Sequence, residues 1–446
     1  MRFASLLCLL TTPMLAFAEP TAFQPLLSED PCNKCAGYAL PGERIPSHET
    51  KWTIHSDLPE TFTSEGVLYA TTPVLPPFNA LSGDPISEEM RTQVNRGFKT
   101  IDDDFEVFFF HTTNPPSTNP GRRVVVYVRN AGDAPVTIDP RQAVTTEGLI
   151  GTVHEMENNL AKKVMAGNWD EPHAPVTLQP GEGAVVASST IFAAPRQTPE
   201  ASRNRNAFGV VQAQVEPAGK ADVEVFVVGL PAGPAETMKQ DAEKLLGIGA
   251  NSGEAVIDMT SEPSGCQVRR STGVFESFSW KSAPVVVDLD VATSPSLRFP
   301  MAVPEVQSQG CPEIQQTAPL VLHSRASRPD TVGNYMNEYL LSFEFINTGT
   351  EPKSPDLRFG KEDADIGLAW QYAVGPKPAT PEELRALPVH AAWAGPKQTA
   401  DLEDNTRSMF INGRPVVAPG ASVHVGVRFM IVGNASLPFH LHAASE

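Results

Sequence analysis

One pattern occurs twice in this chain and constrains its fold more tightly than any single residue. The first copy opens with the apolar run Val124–Val128, turns at Asn130-Ala131-Gly132 and returns through Val136 and Ile138. Farther on come Leu178-Gln179-Pro180-Gly181 and a second strand-like run, Ala184–Ala187. The second copy opens with Leu340–Ile346, turns at Asn347-Thr348-Gly349, and reaches Ala418-Pro419-Gly420 before the run Val423–Phe429. Asn closes a turn with its own side chain, Gly takes backbone angles closed to other residues, and Pro presets φ. Apolar runs of strand length punctuated in this way read as turn-connected strands. A sheet with one apolar face must bury it against a second layer. The doubled unit therefore predicts an all-β chain of two β-sandwich domains, immunoglobulin-like or jelly-roll-like, with short helical insertions.

Composition bounds the function. The chain has 52 Asp and Glu against 34 Lys and Arg, a formal charge of -18. That balance argues against nucleic acid as a partner, which needs a basic footprint, and against electrostatic docking on anionic lipid. The 42 prolines sit mostly between strand-like runs, as suits a loop-rich β protein. Residues 1–18 read as an export signal: Arg2, an apolar stretch from Leu6 to Leu15, and the small-x-small site Ala16-Phe17-Ala18. That stretch is too short to span a bilayer, and no later run reaches about 18 apolar residues, so no membrane span is expected. The expected location is periplasmic or secreted.

Export would place Cys32, Cys35, Cys266 and Cys311 in an oxidising compartment, and their even number predicts disulfides. The pairs Cys32 with Cys35 and Cys266 with Cys311 are favoured among three possible connectivities. Cys32-Asn33-Lys34-Cys35 also has the spacing of a redox dithiol or half a zinc site. It follows Glu29-Asp30-Pro31, however, rather than opening a helix after a strand.

Residues 19–50 carry five prolines, Pro20 to Pro46, and are expected to be irregular. A first β domain is expected over 51–232, a connecting helix and linker over 233–252, and a second β domain over 253–446. Ile86, Met90 and Val94 suggest one helical insertion. Val153, Met156, Leu160 and Val164 suggest another, stopped by Gly167. In the last repeat strand, Val423, Val425, Val427 and Phe429 should face a core, and His424 and Arg428 should face water. An insertion over 361–408 separates the turns of the second copy. It holds a helix start at Pro381-Glu382-Glu383-Leu384 together with Trp370 and Trp393. Long insertions on a β scaffold are where binding sites often sit.

A longer series of short motifs runs along the chain. It includes Leu40-Pro41-Gly42, Glu65-Gly66-Val67-Leu68, and Phe105-Glu106-Val107-Phe108 before His111. It continues through Arg129-Asn130, Pro135-Val136-Thr137, Gln142-Ala143 and Leu178–Gly181. In the second half come Pro319-Leu320-Val321, Pro329-Asp330-Thr331, Gly333-Asn334-Tyr335, Glu338-Tyr339, Asn347 and Pro419-Gly420. In this order they resemble a bacterial exported family catalogued as domain of unknown function 3370, over most of the chain beyond the signal. The chain departs from that pattern after His111, where Thr112-Thr113 stands in place of a second histidine. The resemblance implies an envelope or secreted protein and brings no catalytic residue or ligand with it.

Three constellations carry candidate chemistry, and no cofactor is expected. Trp370, Tyr372 and Trp393 offer flat faces for a sugar, although aromatics at period two also build cores. His440 and His442 share a strand face and could hold a metal with His424 as third ligand, if the two strands pair. Asp102-Asp103-Asp104 could hold calcium or form a solvated turn. His154-Glu155 begins a zinc-protease helix but lacks its second histidine, and neither a nucleophile elbow nor a phosphate-binding loop is present. The expected role is non-catalytic, binding or structural, with envelope glycan or protein as partner. The alternative is an enzyme acting on envelope or extracellular polysaccharide, which would need two carboxylates facing across a cleft.

Overall fold

The computed structural model describes residues 25–26, 37–57, 65–72, 99–113, 121–146, 153–170, 174–191, 205–246, 272–291, 297–302, 316–323, 331, 335–360, 366–394, 406–431 and 439–445. The export signal, all five cysteines and the expected helix around Met90 lie outside them.

The chain is all-β. Sheet I has the order Leu322–His323, Gly273–Glu276, Trp52–Ser56, Phe105–Thr113, Arg205–Glu216, Val136–Thr146, Val176–Leu178. Sheet II has the order Gly183–Ile191, Arg122–Asn130, Val223–Pro231, Gly66–Ala70. One face of sheet I, carrying Phe105, Val107 and Phe109, packs with Val124, Val126 and Val128 of sheet II into a continuous core. Sheet III runs His390–Ala394, Ile366–Gly375, Ser422–Ile431, Glu338–Ile346, Phe278–Ser282, Gly42–Pro46, with Val285–Asp288 also pairing to Glu338–Ile346. Sheet IV runs Leu297–Met301, Phe439–Ser445, Pro355–Gly360, Thr406–Ser408. A second core joins sheets III and IV to the other face of sheet I through Phe108, Phe110 and Phe208. Each large apolar side chain buried in these layers contributes about 1.5–3 kcal/mol.

The doubled unit is one and the same corner, built twice. Asn130 is buried; its Nδ2 donates to the Ala134 and Leu178 carbonyls (2.7 and 3.0 Å), and its Oδ1 accepts from the Gly132 N–H at 3.0 Å. Asn347 donates to the Glu351 and Val417 carbonyls (2.8 Å each) and accepts from the Gly349 N–H at 3.0 Å. The Asn130 carbonyl accepts from Gly181 and the Asn347 carbonyl from Gly420, both at 2.8 Å. Gly181 and Gly420 have φ of 79° and 72°, a region that costs any residue with a Cβ. The register repeats as well. Gly183 pairs Arg129 as Ser422 pairs Ile346, and Val136 pairs Leu178 as Lys353 pairs Val417. In each copy this corner carries the chain from one layer to the other, from sheet II to I and from sheet III to IV.

Sheet membership does not follow the intervals 19–50, 51–232 and 253–446. Gly42–Pro46, in the stretch expected to be irregular, pairs antiparallel with Phe278–Ser282 in sheet III. Its prolines stand at the two ends of the pairing rather than inside it, which is where proline does no damage to a ladder. Conversely, Gly273–Glu276 pairs with Trp52–Ser56 in sheet I. The insertion 361–408 is no appended loop, because Ile366–Gly375 and His390–Ala394 extend sheet III by two strands.

Three helices are described. Helix α1, Val153–Met165, buries Leu160, Ala161 and Val164 in the second core, and Gly167 at φ 65° follows its end. Helix α2, Met238–Leu245, buries Ala242, and a 3₁₀ turn, Ala235–Thr237, leads into it. Helix α3, Pro381–Arg385, starts with the capping box Thr380–Glu383 and Pro381 in the first turn. Helices α1 and α3 contact the face of strand Ser422–Ile431 that was expected to be wet. Arg428 is consequently buried rather than exposed. Period two alone identifies a polar face but not whether another element covers it.

Candidate binding cleft

Two of the crossings between sheets I and III, from Pro46 to Trp52 and from Glu276 to Phe278, lock together. The Ser47 N–H donates to the Ser277 carbonyl at 3.1 Å, and the Ser277 N–H to the Lys51 carbonyl at 2.9 Å. The Ser277 hydroxyl lies 3.0 Å from that of Thr50 and 2.7 Å from that of Thr53. A cleft of about 670 Å³ opens beside this knot, walled by residues 44–51, Asp103, Asp104, 276–278 and part of 318–321. Ile45, Phe278 and Val321 supply apolar lining, and Lys51, Glu49 and Glu276 supply charge. Val321 is 55% exposed.

The Asp102-Asp103-Asp104 run lies at this wall but does not converge on a cation. Asp102 accepts from the Trp52 indole N–H at 2.7 Å, Asp102 and Asp103 pair with Lys51, and Asp104 accepts from the Val215 N–H at 2.8 Å. Burial opposes the charged form of Asp102, but the Trp52 N–H, Lys99 and Lys51 outweigh it and hold the carboxyl below its usual range.

Next to the cleft, a polar row crosses the face of sheet I that carries Phe108 and Phe110. Register places Thr53, Glu106, Gln212 and Arg141 side by side. Arg141 donates to Glu49 (2.8 Å) and to the Gln212 carbonyl oxygen (2.5 Å), and Gln212 donates to Glu106 at 2.7 Å. Burial is the main cause that pushes the Glu106 carboxyl up, to about 7, against the Gln212 bond; Glu49 adds to the rise and Arg141 opposes it. A carboxyl raised on folding gives stability that is complete below its unfolded value of about 4.5. That stability is lost as pH climbs through about 7. Glu106→Gln should therefore leave stability unchanged near pH 4 and raise it at pH 8, by up to about 3 kcal/mol. Urea denaturation at the two pH values checks this.

Trp370 is fully buried, its indole N–H donates to the Met409 carbonyl at 2.9 Å, and Phe359 packs edge-on to it. Trp393 is also buried, and Tyr372 is half-buried against His390 and Phe410, with its hydroxyl accepting from the Ile411 and Asn412 N–H groups. Neither indole presents a free face to a sugar; these rings hold the insertion strands onto the sheets. His440 and His442 do share a face, with ring centroids 6.1 Å apart. His424 stands in sheet III, opposite Glu344, while the histidine pair stands in sheet IV, so the three ligands do not meet. Among the described residues, no cluster of three or more His, Cys, Asp or Glu could hold a metal. His111, at the point of departure from the family pattern, meets the Ser56 hydroxyl through Nε2 at 2.9 Å. Both are fully buried, so Ser56 is not presented to a substrate.

No family model matches the chain, and no curated protein matches it. Among solved structures, the chain is similar to one described as a cryo-EM atomic structure of Broad Bean Stain Virus, at 11% identity over 94% of this chain and 92% of that chain. The TM-score is 0.14, and this likeness carries no argument. No helix among the described residues is long and apolar enough to cross a membrane.

Reading the sequence missed the cleft and its polar row. One signal was available. Glu106 and Gln212 each interrupt a strand-length apolar run at the parity of its buried neighbours, Phe108 and Val210.

Proposed function

We propose that the chain is an exported envelope protein with a non-catalytic role, an all-β scaffold whose cleft receives an extended segment of a partner protein. The observation that carries this reading is the edge strand in the cleft wall. Gly42–Pro46 ends sheet III, is largely exposed, and has no partner strand on its outer side among the described residues. An open edge offers main-chain N–H and C=O groups to an incoming strand. Ile45 and Val321 provide apolar contact there, and Lys51 and Glu276 provide charge for choosing the partner. Export rests on the signal-like residues 1–18 and on the resemblance to an exported family. The polysaccharide-enzyme reading is weaker, because Glu49, Asp103 and Asp104 in the cleft wall are engaged by Arg141, Lys51 and the Val215 N–H, and Glu106, whose carboxyl is raised, does not line the cleft.

The test is affinity capture from envelope extract with the wild type and Val321→Asp, followed by hydrogen exchange with the partner identified. Capture should fall at least tenfold for the variant, and the partner should slow exchange at 42–51. Equal capture by both proteins, or protection confined to other segments, would sink the proposal. Protection of 42–51 by purified envelope glycan would move it to the alternative.

A further inference from the structure

The hydrogen bonds that flank the open edge of sheet III fix which of its main-chain groups face outward. The Ala283 N–H donates to the Pro41 carbonyl at 2.8 Å, and the Ser47 N–H to the Ser277 carbonyl at 3.1 Å. Between them, register sets Gly42 opposite Ser282 and Pro46 opposite Phe278. In an antiparallel ladder the N–H and C=O of one residue point to the same side, and successive residues alternate sides. Pro41, Glu43, Ile45 and Ser47 therefore turn their main-chain groups inward, to Phe278–Ser282. Gly42, Arg44 and Pro46 turn theirs outward, where no described strand pairs with them. Pro46 has no N–H, so an incoming strand can pair fully only beside Gly42 and Arg44. We propose that the segment received by this edge is an antiparallel strand carrying, in order, an apolar, an acidic and a cationic residue, opposite Ile45, Arg44 and Glu43. This deepens the strand-accepting reading of the cleft and rests on it.

Side chains alternate along the same strand, so Glu43 and Ile45 share one face and Arg44 stands on the other. Glu43 and Arg44 are exposed, and Ile45 is half-buried. Arg44 donates to the Thr317 carbonyl at 2.8 Å. Among the described residues, neither Glu43 nor Arg44 has an opposite charge within ion-pair distance. Lys281 neighbours Glu43 on the inner side, which leaves the outer side of that carboxylate to the incoming strand. Toward that strand Glu43 and Ile45 hold the non-hydrogen-bonded positions, where opposed residues come closest, about 4.5 Å between Cα atoms. Opposite charges facing across such a pairing attract, and like charges repel. Antiparallel pairing is the more stable per residue and sets the order of the three residues. The same rule turns away a second copy of this chain. Pairing about the middle of the strand would set Arg44 against Arg44 and the Glu43 carboxylate against Ile45, so the edge selects a different sequence.

The probes are two peptides of equal composition, Ser-Thr-Val-Asp-Lys-Thr-Ser and Ser-Thr-Val-Lys-Asp-Thr-Ser, each with an N-terminal fluorophore and a C-terminal amide. Fluorescence anisotropy with the full chain at low ionic strength gives their affinities, and hydrogen exchange at Gly42 and Arg44 gives the place of binding. The first peptide should bind about tenfold tighter, because the second turns two attractive cross-strand pairs into repulsive ones. Both outward amides should exchange more slowly in its presence. In the variant carrying Glu43→Lys with Arg44→Glu, the preference should reverse. Misfolding cannot imitate a reversal, since it would weaken both peptides alike. Equal affinities with Gly42 and Arg44 protected would overturn the charge pattern and leave the strand-accepting edge standing. An unchanged preference in the double variant would also overturn the pattern. Failure of both peptides to protect these amides at about 1 mM would overturn the pattern and the edge together.

Discussion

Asn347→Ala should lower the free energy of unfolding by about 3 kcal/mol, and Asn130→Ala by a similar amount, with each leaving two carbonyls and a turn N–H without their partner. The side chain of Asn347 satisfies the Glu351 and Val417 carbonyls and the Gly349 N–H at once. Alanine can replace none of these bonds. Water cannot enter readily either, since both asparagines are only 1% exposed. Asn→Asp tests the direction of the bonds: it keeps the acceptor for the glycine N–H but turns two donors into a buried charge facing carbonyl oxygens. That variant should be at least as unstable as alanine at pH 7 and recover partly in acid, where the carboxyl can donate. The two corners join different sheets, so the double alanine variant should show nearly additive losses. Chemical denaturation of the wild type and these variants checks all of this. A loss under about 0.5 kcal/mol, the range of an ordinary surface change, would mean that the corner is held by its backbone bonds alone.

The same asparagines show how far the sequence could be read. A doubled Asn-x-Gly and Pro-Gly pattern is local chemistry, and local chemistry is legible: the turns, the paired strands, α1 with its stop at Gly167 and the Pro381 start of α3 all stand where spacing puts them. Partnership between distant segments is not local. Nothing in Gly42–Pro46 announces that it pairs with Phe278–Ser282, more than two hundred residues away, because many strands share its composition. For the same reason period two leaves Trp370 and Trp393 open between core and sugar platform, and puts Arg428 in water although it is buried. Their alternation is legible, but the helix or sheet that covers them comes from elsewhere in the chain. The cleft is made by two remote crossings that meet at Ser277, so no contiguous motif could have marked it.

Glu338→Gln should cost about 3–5 kcal/mol, because it leaves buried guanidinium charge without its counter-ion. Glu338 accepts from Arg428 (2.5 Å), from Arg385 (3.1 and 2.8 Å) and from the Ser279 hydroxyl (2.8 Å). Arg428 also donates to Gln371 (2.6 Å) and to the Met165 carbonyl at the end of α1 (3.2 Å), so the ion cluster ties α1 and α3 to sheet III. Burial opposes the charged form of Glu338, but Arg385 and Arg428 overcome it and hold the carboxyl below its usual range. A depressed carboxyl stabilises the fold above its unfolded value of about 4.5, and that contribution disappears as pH falls through the folded value. Wild type should therefore lose stability on acidification below about pH 4.5, and Glu338→Gln should lose much less over the same range. Glu106 acts in the opposite sense, subtracting stability as pH rises toward about 7. Together the two carboxyls favour a stability maximum on the mildly acidic side, near pH 5, between the two titrations. Arg428→Met should speed hydrogen exchange at the C-terminal turn of α1. Combined with Glu338→Gln it should cost less than the sum of the two, since the second change then removes a charge already stranded by the first.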